Sequence, residues 1–329
     1  MIHPCPPPSA RCTWVAPPTP PIPGSSVPRR SACSPGTWAG RRPPRSSSLS
    51  SATPCRRKPW TGWGCPWRSS ELRRALLRLT LLGSGTSVPD PHRGSCGLLV
   101  QVGNSAWLID GGSGTLQRCS AAGIDPRTLA GGIYSHHHPD HCADLVPLLF
   151  SMRVGPPPRR RDYPIWAGQG FADFFERLTA AWGKWITPGR GQIVIHELPL
   201  DGGATRDLDN LVLHTQPANH GASALHLRLE ADGAAIVFSG DTGPSEALAR
   251  LAHNVDLLVC ECAAPDSDPI PGHLTPSDVA AIADAARPRE LWLTHLYPGV
   301  DASAAIATVA RTGVAVRRAA DLDAWGSGP

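Results

Sequence analysis

The first 70 residues of this 329-residue chain contain no aspartate and no glutamate, although they contain ten lysines and arginines. The same stretch contains 16 of the 36 prolines, which fix φ and lack the amide donor that helices and central strands need. Hydrophobic periodicity is absent before Glu71. This composition predicts a disordered Pro/Arg/Ser-rich extension over residues 1–70.

Three interpretations of residues 1–70 remain open. A targeting peptide needs a continuous apolar stretch, which the early prolines interrupt. A basic arm that contacts nucleic acid is the second interpretation, since unpaired positive charge attracts phosphate. We favour the third, a stretch that is not native, because GC-rich DNA read from a misplaced start yields this composition. The folded domain is then predicted to be residues 71–329.

The rest of the chain also lacks several features. Apolar runs of about 18 residues are missing, so neither a membrane span nor a membrane partner is expected. With 21 basic and 27 acidic residues, this part does not suit a general nucleic-acid binder. No CxxC pair occurs among its five cysteines, so we expect buried thiols in a reducing cytoplasm and no separate structural zinc. These cysteines are Cys96, Cys119, Cys142, Cys260 and Cys262.

From residue 75 onward, apolar segments alternate with glycine-rich turns. LRLTLLG, CGLLVQVG and SAWLIDGG begin a first group of predicted strands, and a second group runs from QIVIHELPL to ELWLTHL. Helices are predicted between them, such as FADFFERLTAAWGKW, whose phenylalanines share one face. Two strand-rich halves with helices predict an α+β fold. In this αββα sandwich, two mixed β-sheets pack together and helices cover the outer faces.

The strongest functional signal is the cluster of His136, His138, Asp140 and His141. Side chains at alternate positions, where a strand gives way to a loop, can converge on one point. Asp140 and His141 are adjacent, point differently, and can serve a second ion. Nitrogen and oxygen ligands without thiolate suit zinc, with manganese and iron as alternatives. A histidine-rich surface loop is the competing interpretation.

Six motifs together resemble the metallo-β-lactamase superfamily, and specifically its ribonuclease Z-like branch. They are LLGSGTSVPDP, LIDGG, HHHPDHCADL, PANHG, FSGDTG and the ending GHLTPSDVAAIADAARPRELWLTHLYP. The resemblance runs from about Leu77 to about Gly326. The histidine motif alone indicates the superfamily, and the glycine-rich opening with the HLT and THLYP segments indicates the branch.

The resemblance implies a complete ligand set for two zinc ions. It assigns His136, His138 and His220 to the first ion, Asp140, His141 and His295 to the second, and Asp241 to a bridging position. Two such ions share a water, lower its pKa toward 7 and neutralise developing charge. Phosphodiesters are anionic and resist hydroxide, so this neutralisation is most useful for them.

Three further residues receive roles from the resemblance. Asp140 would orient or deprotonate the attacking water. His273 in GHLTP would protonate the leaving group, with Glu261 as the partner that holds its tautomer. Asp110 in LIDGG would accept a hydrogen bond from a ligand histidine, although a turn aspartate is an equal alternative.

The sequence departs from tRNA-processing members of the family. Those enzymes commonly carry a flexible basic arm between the positions of His220 and Asp241, where this chain has only residues 221–240. Twenty residues suffice for two strands and a turn. The only basic run, residues 153–162, is either a phosphate-steering loop beside the cleft or an ordinary solvated loop.

The predicted function is therefore a dinuclear zinc hydrolase of phosphodiester bonds, acting on RNA 3′ ends or on cyclic phosphates. Hydrolysis of lactones, thioesters or β-lactams is an alternative on the same histidine motif. A non-catalytic binding protein is a remote alternative, because degenerate members should have broken ligand sets. Dimers are usual in the family, so a homodimer is a further expectation.

Overall fold

The computed structural model of the protein describes residues 77–187 and 191–327. The predicted extension over residues 1–70, and the predicted domain boundary at residue 71, lie outside these described residues. No helix in the described part of the chain is long and apolar enough to cross a membrane.

The first sheet has seven strands in the order β14-β1-β2-β3-β4-β5-β6. Its strands are β1 (Leu77–Gly83), β2 (Gly97–Val102), β3 (Ser105–Ile109), β4 (Gly131–Tyr134), β5 (Tyr163–Gly168), β6 (Ile193–Leu198) and β14 (Ala324–Gly326). β3 to β6 run parallel, whereas β14, β1 and β2 pair in antiparallel fashion. The sheet is mixed, as predicted.

The second sheet mirrors the first, with the order β13-β12-β11-β10-β9-β8-β7. Its strands are β7 (Ala204–Asp207), β8 (Val212–Pro217), β9 (Leu225–Ala231), β10 (Ala234–Phe238), β11 (Leu257–Glu261), β12 (Glu290–Thr294) and β13 (Ala315–Arg318). β10 to β13 are parallel, and β7 to β10 pair in antiparallel fashion.

Seven α-helices are found in the described residues: α1 (Thr115–Ala121), α2 (Pro139–Cys142), α3 (Leu145–Val154), α4 (Phe171–Trp182), α5 (Glu246–Leu251), α6 (Pro276–Ala286) and α7 (Ala302–Ala310). Three apolar clusters hold the layers together. The central cluster joins the inner faces of the two sheets, for example Leu79 and Val100 with Leu227 and Ile236. The outer clusters join each sheet to its helices. The predicted αββα sandwich is confirmed.

The directions of the strands bring the carboxyl ends of the parallel strands of both sheets together. In parallel strands the carboxyl ends lie at the same edge, where α/β sheets present their functional side chains. Two backbone hydrogen bonds join the edges of the two sheets, from Leu225 N to Ser135 O at 2.9 Å and from His295 N to Ser84 O at 3.2 Å. The segments that follow β3, β4, β8, β10, β11 and β12 therefore meet at one place.

Residues 221–240 form the antiparallel pair β9 and β10 joined by a two-residue turn. Asp232 and Gly233 occupy that turn with φ of 47° and 81°, which is the left-handed conformation that tight hairpins require. The prediction of two strands and a turn here is confirmed, and the described residues contain no arm at this position.

The basic run at residues 153–162 leads to the amino end of β5, whereas the ligand cluster lies at the carboxyl ends of the strands. Arg159 Nη1 donates to the carbonyl oxygens of Arg127 and Leu129, which precede β4, at 3.0 and 2.8 Å. The run itself precedes β5, which is parallel to β4. The phosphate-steering hypothesis is therefore wrong, since a loop before β5 cannot flank a cleft at the carboxyl end of β4.

Candidate metal centre

Each predicted ligand follows a strand at the shared edge. His136 and His138 come directly after β4, His220 follows β8, Asp241 follows β10 and His295 follows β12. Between His138 and Ala143 the chain makes the short helix α2, with Pro139 at its first position, where the missing amide donor costs nothing. This turn carries Asp140 and His141 inward, so both side chains are buried.

The first group of ligand atoms comes from His136, His138, His220 and Asp241, and all four lie within 4.8 Å of one another. His220 Nε2 is 3.2 Å from His138 Nδ1. His136 Nε2 is 3.8 Å from Asp241 Oδ2. The Nδ1 atom of His220 faces the carbonyl oxygen of Gly272 at 2.8 Å, which fixes the orientation of its ring.

The second group consists of Asp140, His141, Asp241 and His295, again within 4.8 Å of one another. His295 Nε2 lies 3.2 Å from Asp140 Oδ2, and His141 Nε2 lies 3.2 Å from Asp241 Oδ1. Asp241 belongs to both groups. The structure thus brings all seven predicted ligands together, as two groups that share one carboxylate.

An unpaired polar atom indicates that this donor set suits metal ions. Nε2 of His136 is buried and has no hydrogen-bond partner among the described residues. Leaving a buried polar group without a partner costs about 1–3 kcal/mol. Lone pairs of nitrogen and carboxylate oxygen at this spacing fit divalent ions such as zinc, so the residues present are compatible with a metal pair.

Charge within the cluster shifts several pKa values. Burial lowers the pKa of His136, and the neighbouring His141 lowers it further, so its imidazole stays neutral and can offer a lone pair. Burial opposes ionisation of Asp241, but His141 and His295 outweigh it and hold the pKa of this carboxyl well below its usual range. Neutral imidazole and ionised carboxylate are the protonation states that bind metal.

Asp110 organises the base of the cluster. Its side chain is fully buried and accepts hydrogen bonds from the backbone N and Oγ of Ser135, each at 2.7 Å, and from Nδ1 of His141 at 2.7 Å. Asp110 has a φ of 54°, a left-handed conformation that is uncommon outside glycine. The hydrogen-bond role expected of Asp110 is confirmed for His141.

Position 112 requires glycine because the backbone of Asp140 passes close to it. A Cβ atom at this position would lie 2.0 Å from the carbonyl oxygen of Asp140, so only glycine allows the LIDGG turn to pass under α2. The same turn is bonded to the loop by the backbone of Gly111, whose N donates to the carbonyl oxygen of His141 at 2.6 Å.

Beside the two groups lies the predicted proton-transfer pair. Nδ1 of His273 is 3.0 Å from Oε1 of Glu261. Glu261 is the last residue of β11, is buried, and also accepts hydrogen bonds from the backbone N of Thr242, Ala263 and Leu274. Burial raises the pKa of Glu261. Burial acts against protonation of His273, but the hydrogen bond with Glu261 outweighs it and raises the pKa of His273.

His273 and Glu261 also come within 4.8 Å of a ligand atom of His295. The geometry is therefore open to a ligand role for His273 as well as to proton transfer. Only a variant that separates metal content from turnover distinguishes the two.

Sequence reasoning assigned no role to several residues that border the cluster. His137 stacks on Phe174 with ring centroids 5.0 Å apart, and its Nδ1 lies 2.9 Å from Ser223 Oγ. Tyr297 lies near both His273 and His295. The signal for Tyr297 was present, because the THLYP segment contains it two positions after a predicted ligand.

Comparisons with known proteins agree with this geometry. Residues 107–296 match the family model described as a beta-lactamase superfamily domain. The chain is 31% identical over 253 residues to ribonuclease Z of Mycobacterium bovis (strain BCG / Pasteur 1173P2). That alignment covers 68% of this chain and 88% of the relative.

Two solved structures are similar in fold. The metallo-beta-lactamase fold protein YhfI from Bacillus subtilis has a TM-score of 0.67 and 22% identity, covering 76% of this chain and 99% of that one. The short form of human tRNase Z has a TM-score of 0.62 and 22% identity, covering 77% and 99%. The family and these relatives imply that the chain binds divalent metal.

Proposed function

Because the chain belongs to the beta-lactamase superfamily, and within it to the ribonuclease Z family, we propose that it is a metal-dependent hydrolase of RNA phosphodiester bonds. The observation that carries this proposal is the His273–Glu261 pair beside two ligand groups that share Asp241. A phosphodiester needs charge neutralisation at phosphorus and a proton for its leaving oxygen. This site offers residues for both tasks.

The ligand residues would hold two divalent ions, and we propose zinc because every ligand atom is nitrogen or carboxylate oxygen. His136, His138 and His220 would hold the first ion, Asp140, His141 and His295 would hold the second, and Asp241 belongs to both ligand groups. Two ions held there would supply positive charge for the phosphate and acidify the attacking water.

The residues of the chain orient the reactants and move the protons. Asp140, with Oδ2 3.2 Å from His295 Nε2, orients the attacking water and accepts a proton from it. Water adds to phosphorus, the bond from phosphorus to the leaving oxygen breaks, and His273 gives that oxygen its proton. Since Nδ1 of His273 faces Glu261, the proton leaves from Nε2. Glu261 is the positioning residue that holds this tautomer.

RNA 3′ ends are the substrate we favour, in line with the ribonuclease Z relatives. The short β9–β10 hairpin favours a second candidate, a small cyclic phosphodiester, because the described chain has no arm between His220 and Asp241 with which to hold a large RNA. Thioesters would not need the proton donor in the same way, since a thiolate leaves without protonation.

One experiment separates these substrates. The full chain is loaded with zinc and tested on a precursor tRNA, a cyclic nucleotide, bis-p-nitrophenyl phosphate, a thioester and a lactone, with a chelator-treated sample as the control. Cleavage of the tRNA at its 3′ end, abolished by the chelator, is expected. Activity on the thioester or lactone and on no phosphodiester would refute the proposal.

A homodimer is also part of the proposal, and α3 supports it. The inward residues of this helix are apolar, for example Leu145 and Leu149, and so is its outward face. A helix that is apolar on two opposite faces needs cover on both of them. The outward face borders an uncharged groove of about 630 Å³, lined by Ala143, Val146, Pro147, Phe150, Trp182, Trp185 and Ile186.

The exposed aromatics at this groove favour a second copy of the chain as its cover. Phe150, Trp182 and Trp185 are 41%, 51% and 49% exposed, which leaves roughly 300 Å² of aromatic surface in water. A symmetric pair would bury twice that area, about half of a small stable interface. Phosphate groups find no cation among the lining residues, so RNA is a poorer occupant.

A cytoplasmic location completes the proposal. All five cysteines of the described region are free and buried, as expected for a protein folded in a reducing compartment.

A further inference from the structure

We propose that Tyr297, held in place by Ser87, forms a subsite for the nucleoside that carries the leaving oxygen, and that it binds the base of this nucleoside by stacking. The inference rests on the proposed function, because the position of the proton donor is used to locate the leaving group. It identifies the chemical class of the leaving group, which is a nucleoside.

Tyr297 packs against the proton donor and a ligand at once. It follows β12, and its ring centroid lies 5.9 Å from that of His273 and 5.6 Å from that of His295. The tyrosine ring is steeply inclined to both imidazoles, at 74° and 84°. Its side chain is half-buried, so part of the ring remains accessible beside the cluster.

The leaving group must lie near this ring. A proton donor has to approach the leaving oxygen to about 2.6–3.2 Å. Because Nδ1 of His273 is occupied by Glu261, the oxygen has to sit near Nε2, on an imidazole that Tyr297 contacts. A nucleoside attached to that oxygen extends several ångströms further, which brings its sugar and base within reach of the Tyr297 ring.

Ser87 fixes the orientation of the ring. Its Oγ is 2.9 Å from the hydroxyl of Tyr297, and it lies in the exposed segment that follows β1 of the other sheet. The hydrogen bond therefore joins the rims of the two sheets and limits rotation of the tyrosine. A rigid aromatic side chain loses little conformational entropy when it binds a ligand.

The chemistry of the subsite suits a base better than a phosphate. Ser87 and Tyr297, the two side chains that form it, carry no charge. An aromatic face stacks on any nucleobase, and the loss of one such stack by truncation typically lowers affinity about 10-fold to 100-fold. The negative charge of the substrate is then left to the ligand groups on the other side of His273.

Two dinucleotides test the subsite with the full chain loaded with zinc. They share the scissile phosphodiester and the leaving ribose, but one carries a base on that ribose and the other is abasic. Wild type should cleave the first with kcat/KM at least about tenfold higher, mainly through KM. Tyr297→Leu should abolish this preference, whereas Tyr297→Phe and Tyr297→Trp should keep it because the ring remains.

The controls separate binding from chemistry. Ser87→Ala should reduce the preference only partly, and His273→Ala should slow both dinucleotides while the preference persists. Equal cleavage of both dinucleotides by wild type would overturn the subsite and leave the proposed function standing. Cleavage of neither, with activity on a thioester or lactone, would overturn the proposed function and the subsite with it. The wild-type comparison needs no variant, so it decides the matter even if Tyr297→Leu fails to fold.

Discussion

Nδ1 of His141 lies 2.7 Å from Oδ2 of Asp110, and both side chains are completely buried. The carboxylate fixes which imidazole nitrogen carries the proton, so Nε2 is left to face Asp241. The same carboxylate also holds Ser135, which adjoins His136. One buried aspartate thus orients members of both ligand groups.

Replacing Asp110 with asparagine should weaken metal binding. The amide keeps the size of the side chain but cannot accept three hydrogen bonds as a carboxylate does, so His141 loses its fixed tautomer. We expect zinc affinity to fall about 10-fold to 100-fold, measured by competition with a chromophoric chelator. Asp125→Asn, at an exposed carboxylate outside the cluster, is the matched control. Unchanged affinity in Asp110→Asn would show that the hydrogen bond only supports folding.

Asp241→Ala should remove the shared carboxylate from both ligand groups. The expected zinc content falls from about two ions per chain to one or fewer, because a bridging ligand contributes to both ions. Elemental analysis of the dialysed protein measures this directly. Asp268→Ala, at an exposed carboxylate, should retain the full content. A variant that still binds two ions would exclude the bridging role.

His273→Ala tests proton donation. Turnover of a dinucleotide, whose leaving alkoxide needs a proton, should fall about 100-fold to 10,000-fold. Turnover of bis-p-nitrophenyl phosphate should fall much less, because p-nitrophenolate leaves without protonation. The zinc content should not change; loss of zinc would instead make His273 a ligand together with His295. Glu261→Gln should show the same substrate dependence in weaker form.

His226 should make the free energy of unfolding depend on pH. Burial lowers its pKa to about 4, while the unfolded chain titrates near 6.5. Above pH 6.5 the folded and unfolded states are both neutral here. Between pH 6.5 and 4 only the unfolded state takes up the proton, so stability falls as the pH falls, by about 2 kcal/mol between pH 7 and 5.

Urea unfolding of wild type and His226→Gln at pH 7 and pH 5 measures this contribution. The variant should lose less stability across the interval than wild type does. Val237→Ala removes buried side-chain atoms in the same sheet but keeps the histidine. It should therefore lose as much stability between pH 7 and pH 5 as wild type does. Equal losses in His226→Gln and wild type would assign the acid sensitivity to other groups.

Trp185→Asp should disrupt the proposed dimer. A carboxylate at the apolar groove would be buried without a partner in a symmetric interface, which is strongly unfavourable. We expect the variant to run at the monomer mass in light scattering at concentrations where wild type is dimeric. Arg250→Asp, on the exposed face of α5, introduces the same charge elsewhere and should remain dimeric. A monomeric wild type would refute the proposal.

Much of the fold was predictable because its strands are strongly apolar. The segments of β1, β2, β3, β5 (YPIWAG), β6 (in QIVIHELPL) and β8 to β12 were all identified from apolar runs between glycine-rich turns. The segment of β6 was grouped with the second set of strands, but β6 pairs with β5 in the first sheet. The elements that were missed are short or lie at edges: β7, β13 and β14 have four, four and three residues, and the helices α2 and α5 have four and six. Segments of that length carry too few apolar positions to show a period.

The sequence by itself determined the kind of site. Four ligand-type residues within six positions, followed in order by His220, Asp241 and His295, indicate metal chemistry because such residues rarely recur by chance behind apolar strands. Only the tertiary structure decided which histidine Asp110 holds and which residue holds Tyr297. Asp110 meets His141 across 31 positions, and Ser87 meets Tyr297 across 210. These contacts depend on strand order and direction in two sheets, and local periodicity carries no information about either. Strand order and direction also place the basic run at the amino ends of the strands, away from the cleft. The sequence alone had left open that this run borders the cleft.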